Sequence, residues 1–500
     1  MNGLPGWGRW AAMAAIIALS ACAEPDLERI RVGIPTAPMT LDPRFASDAM
    51  SARLVRLLHR APIHLDASAN PQPDLATWET IDPRRYRLRL VDGARFNDGS
   101  AVTAADVAAT YRSVLDSRTA SPHRGALANI ETITVVDARR LSFTLARPDP
   151  LFPAALTVGV LAAADVAAGR ARDDWRVSSG PFERVMSRAN GVTVMRRRAD
   201  GQLVEFVPVK DLTVRAMQIV AGELDIIQGN LAPEIYAWLA ARPDLVGQQR
   251  AGTTFSYLGF NCLDAVTGQV EVRRAIAHAI DREAIVAKVF AGSARIANGL
   301  FPPQHWAGAR KLEGIAHDPA RARRLLAQAG YGERRLRLIY KTSSDHFRLR
   351  LAAILQRQLA VVGIDLEIES HDWGTFFGDV TAGRFQLYGL SWVGLASPDI
   401  FRHAFHSSAV PPAGANRGAY RSDAMDAMIE QAEREPDRER RARLYRRLQA
   451  RLLDDLPYIP LWFEDQLAIM RTDIRGYTID GDGSFDALEH TSRRTAHATR

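Results

Sequence analysis

The chain has 500 residues, of which 47% are hydrophobic and 24% are charged. This composition excludes a wholly disordered protein and provides enough chain for two or three globular domains. The formal net charge is +7, but the basic residues alternate with apolar or acidic residues and form no long basic block, so we do not expect nucleic-acid binding.

The first 22 residues have the pattern of an export signal. Arg9 precedes an apolar run at 10–19, which is too short to span a bilayer, and two small residues then precede Cys22. The pattern resembles bacterial lipoprotein signals, which implies that residues 1–21 are removed and that Cys22 carries a lipid anchor. The alternative is an ordinary signal peptide that contains a cysteine. If Cys22 is lipidated, Cys262 is the one cysteine left, and no intramolecular disulfide forms.

The first half of the remaining chain has the patterns of mixed α and β structure. Alternation of apolar with polar or small residues predicts strands at 30–34 and 86–90. Strands at 130–136 and 141–145 flank a polar turn and predict a hairpin. Thr103 is followed three residues later by an aspartate, which is the spacing of a capping box and predicts a helix start.

The second half predicts a βαβ unit. Asp318 is a good N-cap for a helix that begins at a proline and ends before a glycine. The elements that follow are a strand at 336–341, a helix at 346–362, a strand at 364–368, and two amphipathic helices at 423–434 and 437–453. Strands joined in this way are parallel, and ligands sit beyond their carboxyl ends.

No motif of a common enzyme class is present. The sequence has no G-x-S-x-G, no Walker-type loop, no H-E-x-x-H and no C-x-x-C. His403 and His406 have a spacing that could place two metal ligands on one helix face, but no third ligand is evident nearby. Residues 480–484 begin like a calcium loop yet lack its glycine and its final glutamate, so they predict a turn. We therefore expect no catalysis, no cofactor and no metal.

A series of short motifs follows along the chain: Leu41-Asp42-Pro43, Asp74–Glu79, Tyr86–Gly99, Thr103–Val107, Ser179–Phe182, Gly222–Asp225, Phe260-Asn261, Val272–Ile276, Ala279–Arg282, Asp318-Pro319 and Ala329–Tyr331. Their order and spacing resemble the extracellular solute-binding protein family 5, the peptide-binding components of bacterial ABC importers. The resemblance implies an α/β, two-lobed periplasmic binding protein of the type II-like class. Two hinge strands would join its lobes, and an extra subdomain would be inserted in the first lobe.

The resemblance also implies domain limits and partners. Lobe I would comprise 22–60, 180–274 and 471–500, the inserted subdomain 61–179, and lobe II 275–470. The implied partners are a peptide or peptide-like solute, the transmembrane subunits of an ABC permease, and a membrane reached through the N-terminal lipid. A monomer in the periplasm is expected.

In the family, the ligand backbone lies between a segment beside the Leu-Asp-Pro motif and a Gly-Trp segment of the second lobe, and it is bound much as an added strand would be. The matching positions here are Pro38 and Met39 in the first lobe and Trp392 and Gly394 in the second. Trp392 also suits a core position after a strand predicted at 385–390.

The chain departs from the dipeptide binders of the family at Leu395, where they carry an aspartate that pairs with the peptide amine. Either Asp399 takes over this role, or the ligand has no free α-amine there; a cap or structural contact is the other role open to Asp399. Arg417, in a loop rich in proline and glycine, could bind a ligand carboxylate or could simply be exposed on the surface.

The departure at Leu395 keeps open a non-peptide solute such as a sugar, metallophore or opine. A sensing lipoprotein and an exported hydrolase are further alternatives.

Overall fold

A computed structural model describes residues 29–66, 70–169, 177–332, 334–395 and 397–494. The predicted signal peptide and Cys22 lie outside these residues. The strands are β1 (Ile30–Ile34), β2 (Ile63–Leu65), β3 (Pro71–Pro73), β4 (Ala76–Asp82), β5 (Arg85–Leu90), β6 (Ile130–Val135), β7 (Arg140–Leu145), β8 (Phe182–Ser187), β9 (Thr193–Arg197), β10 (Leu203–Pro208), β11 (Ile226–Gln228), β12 (Leu245–Phe260), β13 (Ala294–Ile296), β14 (Leu336–Ser343), β15 (Ile364–His371), β16 (Leu387–Trp392), β17 (Tyr458–Arg471), β18 (Ile474–Arg475) and β19 (Ser492–Arg493).

The α-helices are Ala49–Leu58, Ala104–Leu115, Arg124–Leu127, Ala163–Ala167, Leu212–Val220, Pro233–Ala240, Val270–Ala279, Arg282–Lys288, Pro319–Gln328, His346–Val361, Trp373–Thr381, Ile400–Phe405, Asp423–Arg434 and Arg438–Asp455. Short 3₁₀ turns lie at Ser117–Thr119, Phe152–Ala155 and Asp486–Glu489. Within the described ranges, no helix combines the length and apolar character needed to cross a bilayer.

One large sheet runs through the molecule in the order β15-β14-β16-β12-β17-β11-β1-β10-β9-β8, with β13 beside β17. We call the half built on β8, β9, β10, β1 and β11 lobe I, and the half built on β16, β14 and β15 lobe II. In lobe II, β14 is parallel to β15 and to β16, and the helix His346–Val361 connects β14 to β15. The predicted βαβ unit is confirmed.

The strands β12 and β17 are shared by the two lobes. They form an antiparallel pair from Leu245 opposite Arg471 to Gly259 opposite Tyr458. β12 also pairs with β16 of lobe II, and β17 also pairs with β11 of lobe I. Their register is interrupted between Arg250 and Thr254, which is a bulge in the middle of the pair. These two strands are the connection about which the lobes can bend.

A second sheet, in the order β4-β5-β7-β6, lies between β1 and β8 in the chain and packs on the helix Ala104–Leu115. We call this unit the inserted subdomain. The predicted capping box is confirmed, because the Thr103 amide donates to Asp106 Oδ2 at 2.7 Å. Tyr86, Phe143 and Phe152 form the centre of a separate aromatic core, with Phe143 and Phe152 ring centroids 5.3 Å apart.

Aspartates begin several helices of lobe II. The Asp318 carboxylate accepts from the Arg321 amide at 2.8 Å, as the sequence predicts, and Asp437 accepts from the Arg440 amide at 2.7 Å. Asp437 is therefore the cap rather than the first helical residue. The strand predicted at 385–390 lies instead at Leu387–Trp392, because its hydrogen bonds to β12 begin at Leu387 and continue to Trp392.

Candidate functional site

The carboxyl ends of strands from both lobes converge on the middle of β12 and β17. Trp392, the last residue of β16, lies opposite Phe255 of β12. Gln228, the last residue of β11, lies opposite Ala468 of β17. Because ligands of open α/β sheets bind beyond the carboxyl ends of strands, the cleft between the lobes is the candidate site, and the two shared strands are its floor.

The floor of the cleft carries a charged network that is internally satisfied. Arg348 donates to both carboxylate oxygens of Glu464, with Nη1–Oε1 2.7 Å and Nη2–Oε2 3.0 Å. Ser256 of β12 donates to the same carboxylate and lies 2.7 Å from the Ser391 hydroxyl of β16. Burial alone would raise the pKa of Glu464, but Arg348 and Ser256 outweigh it and lower the pKa. The Glu464 carboxylate on the floor is therefore ionised, and Arg348 neutralises its charge without a ligand.

The structure places Trp392 at the lobe II side of the cleft, half-buried. Its ring stacks on Tyr257 with centroids 6.4 Å apart, and His403 meets it edge-on at 5.9 Å. The guanidinium carbon of Arg417 lies 5.1 Å from the Trp392 ring centroid, which is a cation–π distance. Among the described residues, none accepts a hydrogen bond from the buried indole Nε1.

Arg417 is held by aromatic groups. Besides Trp392, its guanidinium lies 5.3 Å from the ring centroid of Phe377, and it is close to the hydroxyls of Tyr257 and Tyr458. Burial would lower the pKa of Arg417, but these phenols outweigh it and raise the pKa. Within the part of the chain that the structure describes, its contacts are rings and phenols rather than carboxylates. The positive charge is thus held without an anionic partner.

Trp373 and Phe377 extend the ring contacts of Trp392 and Arg417 along the lobe II side of the cleft, which we call the aromatic wall, and they were not anticipated from the sequence. Trp373 is the first residue of the helix that follows β15 and Phe377 lies one turn further along it, and their rings stack with centroids 5.4 Å apart. They remain 55% and 37% exposed, so their faces are open to a ligand. Their signal in the sequence is an i, i+4 aromatic pair directly after the carboxyl end of a parallel strand.

The inserted subdomain closes over lobe II and brings a second carboxylate toward Asp399. Leu151 of the subdomain packs against the lobe II core, and Arg438 Nη2 of lobe II donates to Asn70 Oδ1 of the subdomain at 2.5 Å. Burial, together with the negative charge of Asp399, raises the pKa of the neighbouring Asp149 to about 7. No sequence pattern indicates Asp149, because its position depends on the contact between the inserted subdomain and lobe II.

Asp399 precedes the helix Ile400–Phe405 but makes no capping hydrogen bond from its side chain. Solvent reaches its carboxylate, although enclosure by the surrounding protein raises its pKa. Leu395 is only 8% exposed and packs in the lobe II core. The position that matches the amine-binding aspartate of dipeptide binders thus points inward.

The remaining predicted binding residues lie apart from the aromatic wall. Met39 is 80% exposed, and its amide donates to Ser51 Oγ of lobe I at 2.9 Å; Pro38 precedes it and is half-buried. Gly394 has φ +63°, and a Cβ there would stand 3.9 Å from the Asp482 carbonyl oxygen of the C-terminal segment. The structure brings Trp392 and Arg417 into contact but joins neither to Met39.

The two histidines with metal-like spacing face different neighbours. His403 packs on a tryptophan ring and burial lowers its pKa, whereas His406 Nδ1 lies 2.8 Å from Ser408 Oγ. No group of three or more His, Cys, Asp or Glu side chains in the described ranges is arranged to hold a metal ion. Residues 480–484 form a turn in which the Gly483 amide donates to the Asp480 carbonyl at 3.0 Å.

Comparison with known proteins agrees with the two-lobed architecture. The family model described as "Bacterial extracellular solute-binding proteins, family 5 Middle" matches residues 70–410. The periplasmic murein peptide-binding protein MppA of Escherichia coli (strain K12) is 26% identical over 495 residues, covering 89% of this chain and 90% of MppA.

Two solved structures have the same fold. DppA from Helicobacter pylori in complex with the peptide STSA has a TM-score of 0.82 and 22% identity, covering 93% of this chain and 98% of DppA. AgaA from A. tumefaciens R10 in complex with agropinic acid has a TM-score of 0.83 and 22% identity, covering 94% of this chain and 99% of AgaA. The predicted two-lobed α/β fold is confirmed. Because the family model spans more than half of the sequence, this chain belongs to the bacterial extracellular solute-binding proteins, family 5.

Proposed function

We propose that this protein captures a peptide or peptide-like solute in the periplasm and delivers it to the transmembrane subunits of an ABC permease. The observation that carries the proposal is the separation of charge around the cleft. Arg417 offers an unpaired cation on the lobe II side, and Asp399 of lobe II and Asp149 of the inserted subdomain offer carboxylates where these two units meet. A solute with a carboxylate and an amine complements both.

The groups around the cleft suit recognition of a peptide main chain. The indole Nε1 of Trp392 is a buried donor that a peptide carbonyl would satisfy. Arg417 would bind a carboxylate, and the faces of Trp373 and Phe377 would contact side chains of varied shape. The murein peptide-binding protein MppA and the complex of DppA with the peptide STSA, which this chain resembles, support this assignment.

A solute-binding function that involves no chemical reaction accounts for the groups around the cleft. Closure of two lobes on a solute is a shift between conformations that is driven by the difference in ligand affinity. The floor carboxylate Glu464 is engaged by Arg348 and is not poised as a base. The protein would act as a binding component and not as an enzyme.

A second candidate is a non-peptide solute, such as a sugar, a metallophore or an opine. The observation in its favour is Leu395, which is buried where dipeptide binders carry a carboxylate. The AgaA structure, solved with agropinic acid, has the same fold. A solute of this kind would have no free α-amine at the position of Leu395.

We further propose that residues 1–21 are a signal peptide and that Cys22 carries a lipid that anchors a monomeric protein to a membrane of the cell envelope. The small residues before Cys22 and the short apolar run support this assignment. Substitution Cys22→Ser should release the protein from membranes into the soluble periplasmic fraction. Retention of the variant in the membrane fraction would contradict the anchor.

The function is tested by native mass spectrometry of residues 23–500, exported to a bacterial periplasm and purified without unfolding. A ladder of bound masses that fragment as short peptides is the expected result. A single non-peptide mass would support the second candidate. Absence of any bound mass, together with unchanged small-angle scattering on addition of peptide mixtures, would contradict both.

A further inference from the structure

Arg53 of lobe I lies where the lobe faces the cleft. It is on the helix Ala49–Leu58, and its Nη1 atom would stand 3.5 Å from a Cβ on Gly229, which directly follows β11. A Cβ on Gly483 would clash with Nη2 of Arg53 and would stand 2.6 Å from Gln466 Oε1 on β17. Arg53 therefore reaches from lobe I toward the central stretch of the shared strands.

The guanidinium of Arg53 has no hydrogen bond and no ion pair within the described part of the chain. The contrast with Arg56, one turn further along the same helix, is direct: Arg56 Nη1 lies 2.8 Å from Asp482 Oδ2, and Nη2 is paired with Asp486. Arg53 instead lies 5.8 Å from the ring centroid of Phe485. Arg53 is only partly buried, so its five N–H donors are available to water or to a bound group.

The surroundings of Arg53 favour an anion. Burial lowers its pKa, which is the sign of a charge that has lost water, and the charge of Asp482 compensates this only in part. Asp482 is itself engaged by Arg56, and the floor carboxylate Glu464 is engaged by Arg348. An enclosed charge gains most from a partner that restores its hydrogen bonds, and a planar oxyanion fits the guanidinium fork.

We propose that Arg53 is an anion-binding residue on the lobe I side of the cleft, and that the solute carries a second carboxylate in addition to the one bound by Arg417. This inference rests on the proposed solute-binding function. It narrows the solute to an acidic class: peptides with an acidic side chain, or peptide-like compounds with two carboxylates. Glycine at 483 leaves the space in which the guanidinium sits, because a Cβ there would clash with Nη2 of Arg53.

The test compares the tripeptides Ala-Glu-Ala and Ala-Gln-Ala, offered at equal concentration to the protein and measured by native mass spectrometry. The unmodified protein should prefer Ala-Glu-Ala, and Arg53→Gln should weaken that preference by about 10- to 100-fold. Arg53→Lys should restore part of it. The matched control Arg196→Gln removes an exposed arginine that pairs with Glu183 on the outer part of lobe I, and it should leave the preference unchanged.

Thermal unfolding of each variant shows whether it is folded, and a folded Arg53→Gln with the unmodified preference overturns the inference. If the unmodified protein binds neither tripeptide, the peptide function fails on its own. In that case the role of Arg53 is tested with the solute that co-purifies with the protein. An anionic solute that is lost in Arg53→Gln and kept in Arg196→Gln supports an anion-binding role for Arg53. A neutral solute, an anionic one kept in both variants, or none overturns it.

Discussion

Lobe II meets the cleft with ring faces, whereas lobe I meets it with glycines and a charged side chain. Phe377 and Trp392 are held in place by neighbouring rings and need no ligand to order them. Arg53 lies in a space left by Gly483, contacts the ring of Phe485, and has no hydrogen-bond or ion-pair partner among the described side chains. The difference indicates that lobe II supplies a preformed aromatic surface that already holds its cation, Arg417, while the cation of lobe I has no hydrogen bond or ion pair within the described residues and is left to pair with a bound solute.

The largest effect should come from removing the ring at the centre of the lobe II wall. Trp392→Ala takes away the face between Tyr257 and Arg417, and solute affinity should fall by about 2–4 kcal/mol because buried aromatic anchors dominate binding energy. Isothermal titration with the solute identified by mass spectrometry measures this. Trp392→Phe keeps a ring and should lose less. Unchanged affinity in Trp392→Ala would assign this residue to the core instead of the cleft.

Removing the lobe II cation should have the next largest effect. Arg417→Gln should weaken binding of a carboxylate-bearing solute by about 1.5–3 kcal/mol, the range for hydrogen bonds to charged groups. The matched control is Arg421→Gln, which removes an exposed arginine four residues later. Equal affinities of the two variants would mean that Arg417 acts only through the rings it packs on.

The junction between the inserted subdomain and lobe II should respond to pH. The pKa of Asp149 is about 7 in the folded protein and 3.8 for an ordinary aspartate, so ionisation destabilises the fold increasingly from about pH 4 to about pH 7 and by a constant amount above. Asp149→Asn removes this effect while keeping an oxygen for the Leu151 amide.

At pH 8 the Asp149→Asn variant should therefore unfold at a higher temperature than the unmodified protein, by about 2–4 °C for each kcal/mol relieved. The difference should shrink as the pH falls toward 5. Asp98→Asn is the control, because hydrogen bonds from Ser100 lower the pKa of that exposed carboxyl. A constant difference at every pH would contradict the role of ionisation.

The smallest effect should come from an exposed ion pair that joins the two lobes. Arg350 of lobe II donates to Glu234 of lobe I with Nη1–Oε1 2.7 Å and Nη2–Oε2 3.2 Å. Both side chains are substantially exposed, so the pair should contribute no more than about 1 kcal/mol to closure. Exchanging the two, as Glu234→Arg with Arg350→Glu, should restore an affinity that either single change lowers a few-fold.

Local features of the fold could be predicted from the sequence because their causes are local. The capping box at Thr103 and the cap at Asp318 depend on side chains and amides within three residues, and both are present. The start of β16 was placed two residues too early, since its hydrogen bonds to β12 decide where the strand begins. Such boundaries are set by hydrogen bonds to neighbouring strands, and the periodicity of the sequence carries no information on those neighbours.

Within the candidate site, too, some residues could be predicted from the sequence and others could not. Arg417 could be proposed from its loop and its charge, and the structure adds the rings that hold it. Asp149 and Arg53 could not be proposed, because each depends on residues more than 200 positions away: Asp149 faces Asp399, and Arg53 faces Gly483. Unpaired charge is a property of the assembled cleft and leaves no pattern along the chain.

The interruption in the shared strands has a mechanical consequence. A continuous hydrogen-bonded sheet is stiff, but between Arg250 and Thr254 the ladder is broken, and a Cβ on Gly252 would clash with the carbonyl of Glu464. A second register shift follows between Ser256 and Tyr257, so we expect bending where the hydrogen-bonded ladder of the two strands is interrupted. Because displacement grows with distance from a hinge, a small rotation at these interruptions moves the far ends of the lobes by a large distance, so the separation of those ends reports from outside whether the cleft is filled.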